Sequence, residues 1–158
     1  MLFRFILRDL LIVALTLALW WLLAENSSGN GATADLSGWI AGLMMGVCAY
    51  LAHEWSHYLG ALAMRSHMQV GTRLASGFLF SFEADRNSVA QFVVMSLSGF
   101  LATALVIFAF YAYLPDSYLA TRVARGGALF LALLGVALEV PLLLTGVLTK
   151  KVPKQVAV

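Results

Sequence analysis

Apolar residues in this chain persist over long runs, with neither the sustained alternation of a half-buried strand nor the one-sided stripe of a soluble amphipathic helix. Four runs reach the roughly 20 residues needed to cross the hydrocarbon core of a bilayer. They cover approximately residues 5–24, 38–64, 89–114 and 126–148. Glu25 to Leu36 is rich in Ser, Gly and Asn and reads as an exposed loop. Tyr113 to Arg125, with Pro115 and Asp116, reads as a short connector. The connector from Arg65 to Ser88 is long enough to hold structure of its own. Phe78, Phe80 and Phe82 alternate with Leu79 and Ser81, a period of two that predicts a short strand or hairpin at the membrane surface. An interfacial loop whose phenylalanines touch lipid is the alternative. The expected fold class is an all-α membrane protein, one integral domain over 1–158, with about four transmembrane helices and a short β-hairpin between the second and third.

Composition agrees with that pattern. The chain is 61% hydrophobic and 11% charged, against roughly 25% charged residues in soluble domains. A net charge of +2 gives no reason to invoke nucleic acid as a partner; the expected partner is the lipid bilayer. The single cysteine, Cys48, excludes a disulfide framework and reads as an inert thiol in an apolar run, a metal ligand being the weaker alternative. The first span carries Arg4 and Arg8 in the manner of a signal peptide. Trp20, Trp21 and Glu25 offer no small-x-small cleavage site, so it reads as a retained anchor with its tryptophans at an interface. With the N-terminus in the cytoplasm, Arg4, Arg8, Arg65, Arg73, Arg86, Lys150, Lys151 and Lys154 fall inside, and only Arg122 and Arg125 outside. The positive-inside rule thus predicts a multi-pass protein with both termini cytoplasmic, and a bacterial inner membrane is the expected location.

The candidate chemistry sits in the second span, in His53-Glu54-Trp55-Ser56-His57. Positions i and i+4 of a helix share a face, so two imidazoles can meet one metal, with Glu54 beside them to handle the proton of a water. Zinc lowers the pKa of such a water to about 7, and Glu54 would pass the proton to a leaving amine. Three ionisable residues within a span cost about 2.5–3.5 kcal/mol each on insertion scales, a burden that a bound cation relieves. A polar patch lining a helix interface is the bland alternative.

A catalytic zinc takes three protein ligands and keeps a fourth position for water. Glu139 in the fourth span is the only acidic residue after Asp116. Counting about 1.5 Å per residue, His57 lies roughly 12 Å and His53 roughly 18 Å from Arg65, and Glu139 roughly 16 Å from Lys150. All three fall at one depth. Pro141 weakens the ladder near Glu139 and suggests unwound backbone lining a cavity; a protonated carboxyl bonded to a neighbouring helix is the alternative for Glu139. Glu83 and Asp85 compete as ligands only by bending back, His67 reads as solvated, and Asp9 beside Arg8 reads as an interfacial pair. Gly42, Gly46 and Ala49, with Ser96 and Gly99, are small enough to let helices pack closely.

These residues resemble the site-2 proteases, the intramembrane zinc metalloproteases. His53 to Tyr58 reads as H-E-x-x-H-Y in a membrane helix, a connector with strands follows it, and Ser98-Gly99-Phe100-Leu101-Ala102-Thr103 looks like the family's G-P-x-x-N region. The likeness covers roughly 38–148; the first span would be an addition. It implies a single zinc ion held by His53 and His57, Glu54 as the catalytic base, substrate positioning by Ser98, Gly99 and Thr103, and cleavage of membrane-protein substrates in or near their transmembrane segments. The chain departs from the family pattern in lacking its Asp-Gly ligand, for which Glu139 stands in, and in placing Phe100 and Thr103 where Pro and Asn are usual. Those departures motivate a second hypothesis, a catalytically inactive homologue acting as a membrane-protein binder or adaptor. A haem carrier is disfavoured because both histidines share one helix face, and a transporter because the ionisable groups cluster at one depth. The sequence does not fix substrate identity or oligomeric state.

Overall fold

The computed structural model describes residues 1–75 and 77–154. Its elements are α1 (Leu2–Leu23), α2 (Ala32–Ala63), β1 (Met68–Val70), β2 (Phe80–Phe82), α3 (Val89–Tyr113) and α4 (Leu119–Thr149). Of the described residues 76% are helical, counting short 3-10 turns, and among them are four helices long and apolar enough to cross a membrane. The all-α membrane class with a small hairpin is therefore the observed one. At about 1.5 Å per residue every helix reaches the roughly 30 Å of a hydrocarbon core.

The helices extend beyond the apolar runs. α2 begins at Ala32, inside the expected loop, after Gly31 at φ 103° turns the chain. α4 begins at Leu119, so Arg122 and Arg125 are helical and the expected connector is shorter. The Arg125 guanidinium donates to the carbonyls of Phe110, Tyr111 and Leu114 and pairs with Asp116 at 2.6 Å. It thus satisfies carbonyls that the end of α3 leaves without helical partners. The turn between α1 and α2 supplies Ser27, whose Oγ accepts from the Ala120 amide and caps α4 from outside.

α2 is the central helix, packed on α1, α3 and α4. Its contact with α4 uses small residues: Gly38 faces Leu119, Gly42 faces Ala120 and Val123, and Gly46 faces Gly127. A methyl group at Gly38 or Gly42 would overlap α4. Ala49, Ala124 and Ala128 continue the seam, with Phe110 of α3 packed on it. Close backbone approach of this kind is how helices gain packing in lipid. α3 opens on a capping box, with the Gln91 amide donating to Ser88 Oγ and the Ser88 amide to Gln91 Oε1. Gln91 Nε2 also donates to the Met64 carbonyl and so ties the start of α3 to the end of α2. α4 is continuous through Pro141; the unwound segment expected there is absent.

β1 and β2 form an antiparallel pair in which Met68 faces Phe82 and Val70 faces Phe80. Outside the helices, Gln69 and then Arg86 bond the Glu83 carboxylate and hold it below the usual carboxylate range. The hairpin also lies against the helices. It runs back along one face of α2: Phe80 stacks edge-on against Tyr58, the Leu79 amide donates to Glu54 Oε2 at 3.4 Å, and the Tyr50 hydroxyl donates to the Gly77 carbonyl at 2.6 Å. Positions 50, 54 and 58 are one turn apart, so the loop follows α2 for about 12 Å. α1 holds it from the other side, through the buried Phe5 and an Arg8 guanidinium bond to the Leu74 carbonyl. The expected pair of Asp9 with Arg8 is formed at 2.6 Å; Asp9 is also buried, at 4% exposure, and its second oxygen accepts from the Trp55 indole.

Candidate metal centre

α2 turns His53 and His57 toward α3, and α4 brings Glu139 to them. His53 Nε2 lies 2.9 Å from His57 Nε2 and 3.1 Å from Glu139 Oε1; His57 Nε2 lies 3.2 Å from Glu139 Oε2. The far nitrogens are committed elsewhere. His57 Nδ1 is 2.8 Å from the Met95 carbonyl, and His53 Nδ1 is 3.1 Å from the Gly99 carbonyl and 2.9 Å from Thr103 Oγ1. A carbonyl only accepts, so each Nδ1 carries the proton. In neutral rings both Nε2 lone pairs then point at each other and at a carboxylate.

Three acceptors converging in a largely buried space repel one another unless something positive sits between them. A proton can occupy one edge of that triangle at a time, whereas a divalent ion serves all three. Two ligand atoms about 2.0–2.2 Å from a tetrahedral zinc stand roughly 3.3–3.6 Å apart, against 2.9 Å between the two Nε2 atoms and 3.1 and 3.2 Å from each of them to its own Glu139 oxygen. The donor set of two imidazoles and a carboxylate, with each imidazole oriented by a bond from its other nitrogen, fits such an ion. The group formed by His53, His57 and Glu139 can therefore hold a metal ion.

Protein-family models, curated proteins and solved structures were each compared with the chain. None of the three comparisons finds a match.

The structure thus brings together the three residues expected to bind metal. Glu54 points to the adjacent face, under Leu79 and beside Tyr50, outside the ligand triangle. Of the residues expected to position substrate, Gly99 and Thr103 lie against the histidines. Gly99 is a gap that the His57 ring fills, since a methyl group there would overlap the ring. Ser98 Oγ donates within its own helix to Met95 and across to the Ser56 carbonyl, fastening α3 to α2. Glu83 and Asp85 are engaged at the hairpin and with Lys154, His67 pairs through its backbone with Asn87, and Cys48 is half-buried near α1. Sequence reading missed the Met95 carbonyl, the Tyr50 hydroxyl and the Leu79 amide. A backbone carbonyl or amide carries no residue-type signal, and Tyr50 reads as one more residue of an apolar run, so only the smallness of Gly99 hinted at this arrangement.

Proposed function

We propose that the chain is a multi-pass membrane metallopeptidase of the site-2 protease kind, hydrolysing peptide bonds in or near the transmembrane segments of other membrane proteins. The observation that carries this reading is the convergence of His53 Nε2, His57 Nε2 and a Glu139 oxygen, with the Glu54 carboxylate on the neighbouring helix face. When bound, a zinc ion supplies a Lewis acid for the scissile carbonyl and acidifies water to a pKa of about 7. The protein's own part is then fourfold. His53, His57 and Glu139 hold the ion. The Met95 and Gly99 carbonyls and the Thr103 hydroxyl keep both rings turned inward. Glu54 accepts the proton of the attacking water and returns it to the departing amine, steadied by the Leu79 amide. The packing of α3 and α4 on α2 keeps the two imidazoles largely buried, at 13% and 11% side-chain exposure.

The basic residues give the orientation of this reading. Arg65, Arg73, Arg86, Lys150, Lys151 and Lys154 gather at the end that holds the hairpin, opposite Arg122 and Arg125. By the positive-inside rule that end faces the cytoplasm, and the metal centre lies in the cytoplasmic half.

The test uses the full chain in detergent micelles, loaded with zinc and given an apolar transmembrane peptide. Cleavage is expected for the wild type, with loss of cleavage on chelation. Glu54→Gln is expected to keep the metal and lose at least 100-fold in rate, the scale of one general base. Unchanged cleavage by Glu54→Gln would overturn the assignment of the base. A chain that binds zinc and the peptide but never cuts would establish the adaptor reading, which Phe100 and Thr103 favour.

A further inference from the structure

Outward from the metal centre, α3 and α4 part around a cavity of about 140 Å³. His53 closes one end; Thr103 and Ile107 line one wall and Leu131, Ala132 and Gly135 the other. The cavity's polar side chains are already occupied, since Thr103 Oγ1 and His53 Nδ1 face each other at 2.9 Å. What remains toward the space is carbon. The cavity meets the metal centre at His53, which belongs to both, and a methyl group on the lining Gly135, one turn before Glu139, would stand 3.3 Å from the Phe100 ring.

We propose that this cavity is a substrate subsite that takes one apolar side chain, of leucine or phenylalanine size, from the residue beside the scissile bond. The proposal rests on the peptidase reading and adds its specificity. Size ranks the occupants: this half-open space of about 140 Å³ is close to the roughly 150 Å³ that accommodates a benzene ring, and an indole is larger. Chemistry sets the rest, because no unengaged polar side chain is available to a charged or amide side chain. Position supplies the remaining condition: His53 is at once a residue of the candidate metal centre and a wall of the cavity. A methylene gained or lost in such a pocket changes rates about 10-fold to 200-fold, so the preference is measurable.

The experiment uses alanine-rich transmembrane peptides with lysine ends and one guest residue: glycine, leucine, phenylalanine or tryptophan. With zinc-loaded wild-type chain, cuts are expected beside leucine or phenylalanine, at least 10-fold faster than beside glycine or tryptophan. Leu131→Ala enlarges the cavity and is expected to raise the tryptophan guest relative to leucine, a reversal that poor folding cannot produce. A second readout needs neither metal nor turnover. A diazirine-bearing leucine guest, irradiated with the Glu54→Gln chain, is expected to label residues 100–107 and 131–136, with labelling lost in Ala132→Phe. Labelling elsewhere, or cleavage with a guest ranking that Leu131→Ala leaves unchanged, overturns the subsite. Absence of any cleavage by the zinc-loaded wild type overturns the peptidase reading, and the labelling pattern then decides the cavity by itself.

Discussion

His53 Nε2 and His57 Nε2 stand 2.9 Å apart, and each ring presents its Nδ1–H to a backbone carbonyl of α3. Two imidazoles on one helix face can rotate away from each other, and these are prevented from doing so by bonds made on their far sides. Glu139 then completes the triangle from a different helix. Metal binding should accordingly depend on all three side chains. Purified chain is expected to bind one zinc ion, and His53→Ala, His57→Ala or Glu139→Ala to lower affinity by at least 100-fold, read by metal content after dialysis against a competing chelator. Full occupancy in Glu139→Ala would show that the third ligand lies elsewhere.

Thr103 offers a graded test of the same design. Its Oγ1 shares His53 Nδ1 with the Gly99 carbonyl, so Thr103→Val removes one of two partners and leaves the ring with the other. Loss of a bond that orients a ligand typically costs 10- to 100-fold in metal affinity. The retained carbonyl places Thr103→Val at the low end, about 10-fold, and Thr103→Ser should restore the wild-type value. Equal affinities for valine and serine would mean that the hydroxyl does not orient the ring.

Gly99 tests the steric side. A methyl group there overlaps the His57 ring, while α3 itself gains about 1 kcal/mol of helix propensity from alanine. The two effects have opposite signs and different readouts. Gly99→Ala is expected to keep its helical circular dichroism and lose metal. A Gly99→Ala chain that binds zinc normally would show that His57 has another place to go.

The spans were legible because crossing a bilayer is a matter of apolar length, and the shared depth of His53, His57 and Glu139 followed from helical rise alone. The starts of α2 and α4 were not. Hydropathy marks where lipid begins, whereas Ala32 to Ser37 and Leu119 to Arg125 are helical beyond the expected apolar runs. The hairpin was visible in the alternation of Phe78, Phe80 and Phe82, but not its course along α2, which is set by the Leu79 amide and the Gly77 carbonyl. Pro141 misled because α4 accommodates it without breaking, as membrane helices often do.

Asp9 was legible only in part: its pair with Arg8 is visible in the sequence and is formed, whereas its partner in space, Trp55, is not visible there. The carboxylate accepts from Arg8 Nε at 2.6 Å and from Trp55 Nε1 at 2.8 Å, and it joins α1 to the helix bearing the histidines. Hydrogen bonds to charged groups contribute about 1.5–3 kcal/mol, although polar bonds between membrane helices average about 0.6 kcal/mol. Near-complete burial of Asp9 places it above the membrane average and within the charged-group range. Asp9→Ala is expected to destabilise the chain by about 2 kcal/mol, lowering its unfolding temperature in detergent and exposing α1 to proteolysis. Asp9→Asn keeps an acceptor for the indole and should cost less. Combining Asp9→Ala with Trp55→Phe isolates the bond, since residues in contact couple by about 0.5–3 kcal/mol. Strictly additive effects in that cycle would mean that α1 is held to α2 by Phe5 and its apolar neighbours alone.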